Sequence, residues 1–185
     1  VEVKSSINLT NARFPVQYVI RTQTEELHDY RGYAGKIESG IYKKGDRVTV
    51  YPAGTEATIK AIEVNNLEVE TAFAPQSAIL HLDQDIDISR GDTIVKVDSS
   101  LKVSQDIDAL VCWMDEKPLT VGQKYFLQHN SRVVPAVVKE IKYKLDVNQL
   151  EKVYEVGQAE LNEVVEVRFK TASPLAYDSY SKIRE

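Results

Sequence analysis

The stretch DQDIDISRGD, Asp83 to Asp92, sets four carboxylates and one arginine within ten residues. Carboxylates at alternate positions can hold a hard cation through oxygen or serve as an acid–base pair. Arg90-Gly91-Asp92 is also the tripeptide that adhesion receptors recognise. A helix–loop–helix calcium site needs glycine at its sixth position for the turn and glutamate at its twelfth to grip the ion from two oxygens. Counted from Asp83, those positions hold Ile88 and Ile94, so the loop cannot wrap a cation in that way. Strand alternation puts Asp83, Asp85 and Asp87 on an outward, solvated face opposite Ile86 and Ile88. An adhesion signal requires a protruding loop on a secreted protein, and the sequence shows no sign of secretion. The remaining role for the tripeptide is a tight corner, with Gly91 in a conformation other residues avoid and Asp92 accepting from nearby amides.

Other constellations fare no better. Gly40 and Gly45 have the spacing of a phosphate loop, but Asp46 follows where lysine is required and would repel phosphate. The three histidines, His28, His81 and His129, show no ligand spacing with one another or with the lone Cys112. Ser131 and Ser173 lack the surroundings of a nucleophile. No residue in the chain reads as catalytic, cofactor-binding or metal-ligating. An enzyme built on the Asp83–Asp92 cluster with Arg90 would need those side chains to converge in one pocket.

The elements that position these residues are strands. Period-two alternation runs through Phe14, Val16, Tyr18 and Ile20; Val48 and Val50; Ala78, Leu80 and Leu82; Ile107, Ala109, Val111 and Trp113; Val133, Val137 and Ile141; and Val165, Val167 and Phe169. LDVNQLEKVY, Leu145–Tyr154, has brief helical spacing. Glycines break the strand patterns at positions 40, 45, 54, 91 and 122. Lys44-Gly45-Asp46-Arg47-Val48 and Arg90-Gly91-Asp92-Thr93-Ile94 echo each other as two corners of one barrel. The fold class is all-β. The polar stretch at 99–105 is read as a linker between barrels at 12–98 and 106–185, with residues 1–11 leading in.

The sequence has 185 residues with a net charge of −5, which counts against a general nucleic-acid binder. No apolar run reaches the roughly 18 residues of a membrane-spanning helix. A single cysteine fits a reducing cytoplasm.

Several segments carry a resemblance. RFPVQYV (13–19) and DYRGYAGKIESGIYKKGDRVTVYPAGTEATIKAIE (29–63) resemble the second domain of the large subunit of bacterial sulfate adenylyltransferases, which is a GTPase of the translation elongation factor type. DIDISRGD (85–92) is similar to that family's signature at the end of the second domain. LDVNQLE (145–151), LNEVVEV (161–167) and PLAYDSY (174–180) look like its third domain. The wider layout GxxGxIxxGxxxxGDxV, Gly32 to Val48, is similar to the second domain of elongation factors in general. The chain departs from the family at Arg21-Thr22, in a polar insertion through His28, and at Ala74-Pro75-Gln76.

The resemblance implies two consecutive elongation-factor-type β-barrels. The second is incomplete, because the family continues beyond the equivalent of Glu185 through another strand pair, which leads us to expect an open edge or a disordered C-terminus. It also implies a parent protein that, with a smaller catalytic subunit, makes adenosine 5′-phosphosulfate and pyrophosphate from ATP and sulfate. GTP and magnesium would belong to a GTPase domain whose phosphate loop and Asn-Lys-x-Asp do not occur in this sequence, and ATP to the smaller subunit. Arg31, Tyr33, Arg90 and Asp92 are the candidates for contacts to the GTPase domain or to the partner subunit. The alternative is an RNA- or protein-binding module of a translation-factor-like GTPase, which would need a basic, aromatic-bearing groove.

Overall fold

Alternating apolar residues become an antiparallel sheet architecture in a computed structural model that describes residues 8–21, 30–99 and 101–180. The predicted leading linker falls largely on 1–7, the insertion through His28 on 22–29, and the expected C-terminal disorder on 181–185, all outside the described residues. The described residues contain no helix. Two compact units form: one from residues up to Lys102 together with 129–132 and the segment from Ala176, the other from 103–128 and 133–175.

The first unit contains β1 (Arg13–Pro15), β2 (Tyr18–Arg21), β3 (Arg31–Lys36), β4 (Ile41–Lys43), β5 (Arg47–Tyr51), β6 (Thr55–Val64), β7 (Leu67–Val69), β8 (Thr71–Phe73), β9 (Ser77–Leu82) and β10 (Thr93–Lys96). The main sheet runs β1-β10-β5-β6-β9-β3-β2, with β7 added to β6 and a separate β4–β8 pair. β1 and β2 sit at opposite ends of that order yet are separated only by Val16 and Gln17. One stretch of chain therefore supplies both ends of the sheet and closes it into a cylinder, leaving a seam at Val16–Gln17.

Crossing the seam also flips the alternation. Phe14 and Val16 are fully buried, whereas Tyr18, expected on the same face, is 66% exposed and Val19 packs inward instead. The core holds Phe14, Tyr33, Tyr42, Ile59, Ile62, Leu80 and Ile94, each worth about 1.5–3 kcal/mol on burial. Tyr42 meets Phe14 edge-on at 6.1 Å and donates its hydroxyl to the Ile94 carbonyl at 2.6 Å, so its polar end is satisfied. Burial pushes that hydroxyl well above its ordinary pKa.

The second unit contains β11 (Lys102–Cys112), β12 (Leu119–Thr120), β13 (Lys124–His129), β14 (Arg132–Asp146), β15 (Glu151–Val153), β16 (Gln158–Ala159) and β17 (Val164–Tyr177). β11 begins at Lys102, so residues 102–105 are strand where the sequence reads as linker. The sheet runs β11-β17-β14-β13, with β15 on β14, and a β12–β16 pair carries Leu119 and Ala159 into the core. This is a half-barrel, with β11 and β13 at its two ends among the described residues. Val165, Val167 and Phe169 point inward as expected. On β14 the inward residues are Val134, Ala136, Val138 and Ile141, and Val133, expected inside, is 55% exposed. The cause is a register shift between Val138 and Glu140, which puts Ile141 on the inner face although it lies an even number of residues from Val133. The helix expected at Leu145–Tyr154 is instead the end of β14, a turn and β15. There the Asp146 carboxylate accepts from the amides of Asn148 at 2.8 Å and Gln149 at 3.2 Å, and Leu150 adopts a φ of 57°. Asp146 thus supplies a local turn that competes with the helix.

On the outer face of this sheet, opposite charges alternate across strands. Asp108 takes a two-pronged contact from Arg168 at 2.8 and 3.0 Å and a third from Lys142 at 2.8 Å, which also reaches Glu166 at 3.0 Å. Hydrogen bonds from Arg168 and then Lys142 hold the Asp108 carboxyl at about 2, against an ordinary 3.8. A depressed carboxylate stabilises the fold above its unfolded value and loses that contribution as pH falls through its folded value. A carbon NMR titration of Asp108 should accordingly show a midpoint of about 2. Arg168→Gln should move it toward the ordinary value, and a wild-type midpoint already there would refute the pairing.

Candidate functional corner and its seam

The corner at Ser89–Asp92 is assembled by its own sequence. The Asp92 amide donates to the Ser89 carbonyl at 3.1 Å, and the Ser89 amide donates back to the Asp92 carboxylate at 2.9 Å. Gly91 has a φ of +93°, the positive value that the third residue of a type II turn requires. The sequence echo at Lys43–Asp46 is the same device. Asp46 donates to the Lys43 carbonyl at 3.0 Å, Lys43 donates to the Asp46 carboxylate at 2.8 Å, and Gly45 has a φ of +87°. Each corner then grips a buried residue twice. Gly45 N–H donates to the Ile59 carbonyl at 2.8 Å, and Ile59 N–H returns to the Asp46 carbonyl at 2.9 Å. Gly91 N–H donates to the Val16 carbonyl at 2.8 Å, and Val16 N–H returns to the Asp92 carbonyl at 2.8 Å.

Val16 is the seam of the cylinder. Arg90 reinforces the grip by donating to the Gln17 carbonyl at 2.9 Å. Both residues of the seam are thus held by Arg90-Gly91-Asp92. The tripeptide is committed to the barrel, with the Asp92 carboxylate occupied by the Ser89 amide and by Arg132 at 2.9 Å. Burial raises the Asp92 carboxyl above its ordinary value, with the Ser89 amide and Arg132 opposing that shift.

Arg31 and Tyr33 serve a different segment. Arg31 Nη1 and the Tyr33 hydroxyl both donate to the Ile86 carbonyl, at 3.3 and 3.2 Å, and Arg31 also pairs with Asp85. They tether the acidic loop that leads into the corner. Asp83 accepts from the Thr58 amide at 2.8 Å. The side chains of Asp83, Asp85, Arg90 and Asp92 are therefore spent on five different partners and do not converge on one point. The phosphate-loop spacing is likewise occupied, since Gly45 N–H serves Ile59 and Asp46 pairs with Lys96 at 3.0 Å.

Three charged residues escaped the sequence reading. Arg132 sets its backbone against Gly91: a Cβ there would stand 2.6 Å from Arg132 Cβ and 2.8 Å from its Cα. Arg132 Nε is buried without a hydrogen-bond partner among the described residues, while Nη1 donates to Asp92. Arg13, whose side chain is 8% exposed, clasps Asp178 with Nε at 2.6 Å and Nη2 at 3.0 Å, while Nη1 reaches Ser99 at 2.6 Å. Only the neighbourhood was visible beforehand, because Arg13 and Asp178 fall in RFPVQYV and PLAYDSY, segments that carried the resemblance without marking these residues. A further cluster joins His81 to Glu63 at 2.7 Å and to the Arg31 carbonyl at 2.9 Å, with Tyr30 donating to Glu63 at 3.0 Å. A carbonyl only accepts, so His81 Nδ1 carries a proton.

Residues 106–185 match the family described as GTP-eEF1A C-terminal domain-like. Over 183 residues the chain is 40% identical to the bifunctional enzyme CysN/CysC of Mycobacterium tuberculosis, covering 98% of this chain and 30% of that protein. It is 39% identical over 182 residues to sulfate adenylyltransferase subunit 1 of Bacteroides fragilis, covering 98% of this chain and 37% of that protein. The subunit 1 protein of Teredinibacter turnerae matches at 38% identity over all of this chain and 38% of its own length. The chain is similar, over nearly its whole length, to one part of sulfate adenylyltransferase subunit 1 proteins. It spans about a third of the length of these relatives. Among solved structures, Sup35 complexed with GDP aligns with a TM-score of 0.84 at 17% identity, over 95% of this chain and 42% of that one. The elongation factor SelB of Methanococcus maripaludis, in complex with a GTP analogue, aligns with a TM-score of 0.72 at 21% identity, over 96% of this chain and 39% of that one. These two likenesses establish the elongation-factor-type fold.

The paired corners separate two costs of adding a methyl group. A Cβ at Gly45 meets nothing within 4 Å, so Gly45→Ala carries only the positive-φ penalty, about 1 kcal/mol. Gly91→Ala adds collision with the Arg132 backbone and should cost on the order of 3 kcal/mol in urea denaturation. Equal losses would show that Arg132 does not constrain the corner.

Proposed function

We propose that this chain is the non-catalytic barrel portion of a GTP-hydrolysing sulfate adenylyltransferase subunit. The observation that carries the reading is 36–40% identity to subunit 1 proteins and CysN/CysC enzymes over nearly the whole chain. The parent protein, with a smaller catalytic subunit, forms adenosine 5′-phosphosulfate and pyrophosphate from ATP and sulfate in the cytoplasm. ATP belongs to the smaller subunit. GTP and magnesium belong to residues outside these 185, since the glycine-spaced loop here is filled by its own aspartate and backbone bonds.

In this role the barrels carry motion and leave the chemistry to others. A cylinder whose seam is bonded at both residues resists shear, so a displacement applied at one place is passed on as rigid-body movement. Among the described residues no helix is long and apolar enough to cross a membrane. The full encoded chain, combined with the smaller subunit, should form adenosine 5′-phosphosulfate from ATP and sulfate faster when GTP is present. Product formation that ignores GTP, or the absence of product from the pair, would overturn the reading.

A further inference from the structure

The outer face of the half-barrel is divided. Toward the far end of β14 and β17 it is the ionic lattice of Asp108, Arg168, Lys142 and Glu166, in which every cation has an anionic partner. Toward the β13–β14 turn the same face becomes apolar. Asn130 and Ser131 form a two-residue connection, and the Val138 amide bonds the Gln123 carbonyl at 3.1 Å. That register places Phe126 opposite Pro135 and Gln128 opposite Val133. On the next strand Ala136 pairs with Thr171, and continuing the register brings Ala172 and Pro174 alongside. Phe126 is 78% exposed and Val133 55%, and Pro135, Ala172 and Pro174 are exposed as well.

These five residues form one continuous outward patch across three strands. Scattered exposed apolar residues, such as Leu110 on β11, are ordinary, but a contiguous group beside a lattice of ion pairs marks an interaction surface. The rim supplies the polarity of the partner. Lys124 and Lys139 are exposed and, unlike Lys142, Arg168 and Lys170 on the same face, have no anionic partner among the described residues. In a chain of net charge −5, unpaired lysines beside an apolar patch favour an apolar surface edged with carboxylates. Phe126 is the patch's one aromatic ring and its other four residues are aliphatic, which suits a protein better than stacked bases.

We propose that the Phe126–Val133–Pro135 face is the docking surface for the smaller adenylyltransferase subunit, which would present an apolar centre with an acidic rim. This inference rests on the reading in the preceding section.

Affinity of the full encoded chain for the smaller subunit, measured by sedimentation at low and high salt, tests it. The pair Phe126→Thr and Val133→Thr should weaken binding by on the order of tenfold or more. The pair Lys124→Glu and Lys139→Glu should weaken it at low salt, with the difference shrinking at high salt. All four positions are exposed or at the rim, and unchanged thermal midpoints would show that the fold is kept. Wild-type affinity in both variants would overturn the docking face and leave the adenylyltransferase reading intact. No binding by the wild-type chain would overturn both. Binding of a single-stranded oligouridine probe that Phe126→Thr abolishes would make the patch a nucleic-acid surface and overturn the proposal.

Discussion

The first barrel depends on the bonding of Val16 and Gln17. A sheet whose two ends come from one short stretch of chain must bend that stretch sharply, and a bend interrupts the ladder and leaves amides and carbonyls in need of partners. Arg90-Gly91-Asp92 supplies them through a glycine amide, an aspartate carbonyl and a guanidinium. The flip of alternation after Val16, the outward turn of Tyr18 and the burial of Val19's side follow from this one bend. A motif that resembles a receptor ligand when read alone is here the fastening of a cylinder.

Most of the strand framework was legible from alternation, because a half-buried strand must repeat with period two wherever its ladder is regular. The reading failed where the ladder is irregular. At the seam the face changed after Val16, and on β14 the shift between Val138 and Glu140 moved Val133 outward. Helical spacing at Leu145–Tyr154 misled because Asp146 builds a turn through contacts that no periodicity registers. The corner was legible in outline, since Gly91 and Asp92 both have local reasons for their identity. Arg132 and Asp178 were not, as each meets its partner across a long sequence separation, where spacing rules are silent.

The two corners show how one local design can be used at different stringency. Both use a positive-φ glycine, a carboxylate accepting from three residues back, and a pair of bonds to a buried strand residue. Gly45 faces open space and Gly91 faces the Arg132 backbone. The requirement for glycine is conformational in the first case and both conformational and steric in the second. The second unit shows a comparable contrast on a larger scale, with a lattice of ion pairs and a cluster of exposed apolar side chains on a single sheet face.

The first unit is not a single run of polypeptide, because it draws 129–132 and the segment from Ala176 back to itself. Proteolysis or gene truncation near residue 98 would therefore strip Arg13 of Asp178 and Asp92 of Arg132. The first loss strands the buried Arg13 charge without its counterion, a change that typically destabilises by about 3–5 kcal/mol, and the second leaves the half-buried Asp92 carboxylate to the Ser89 amide. This cylinder cannot be freed by one cut. Any attempt to excise it for separate study must graft those two short returns back on, or replace Arg13 and Asp92 with uncharged residues of similar volume.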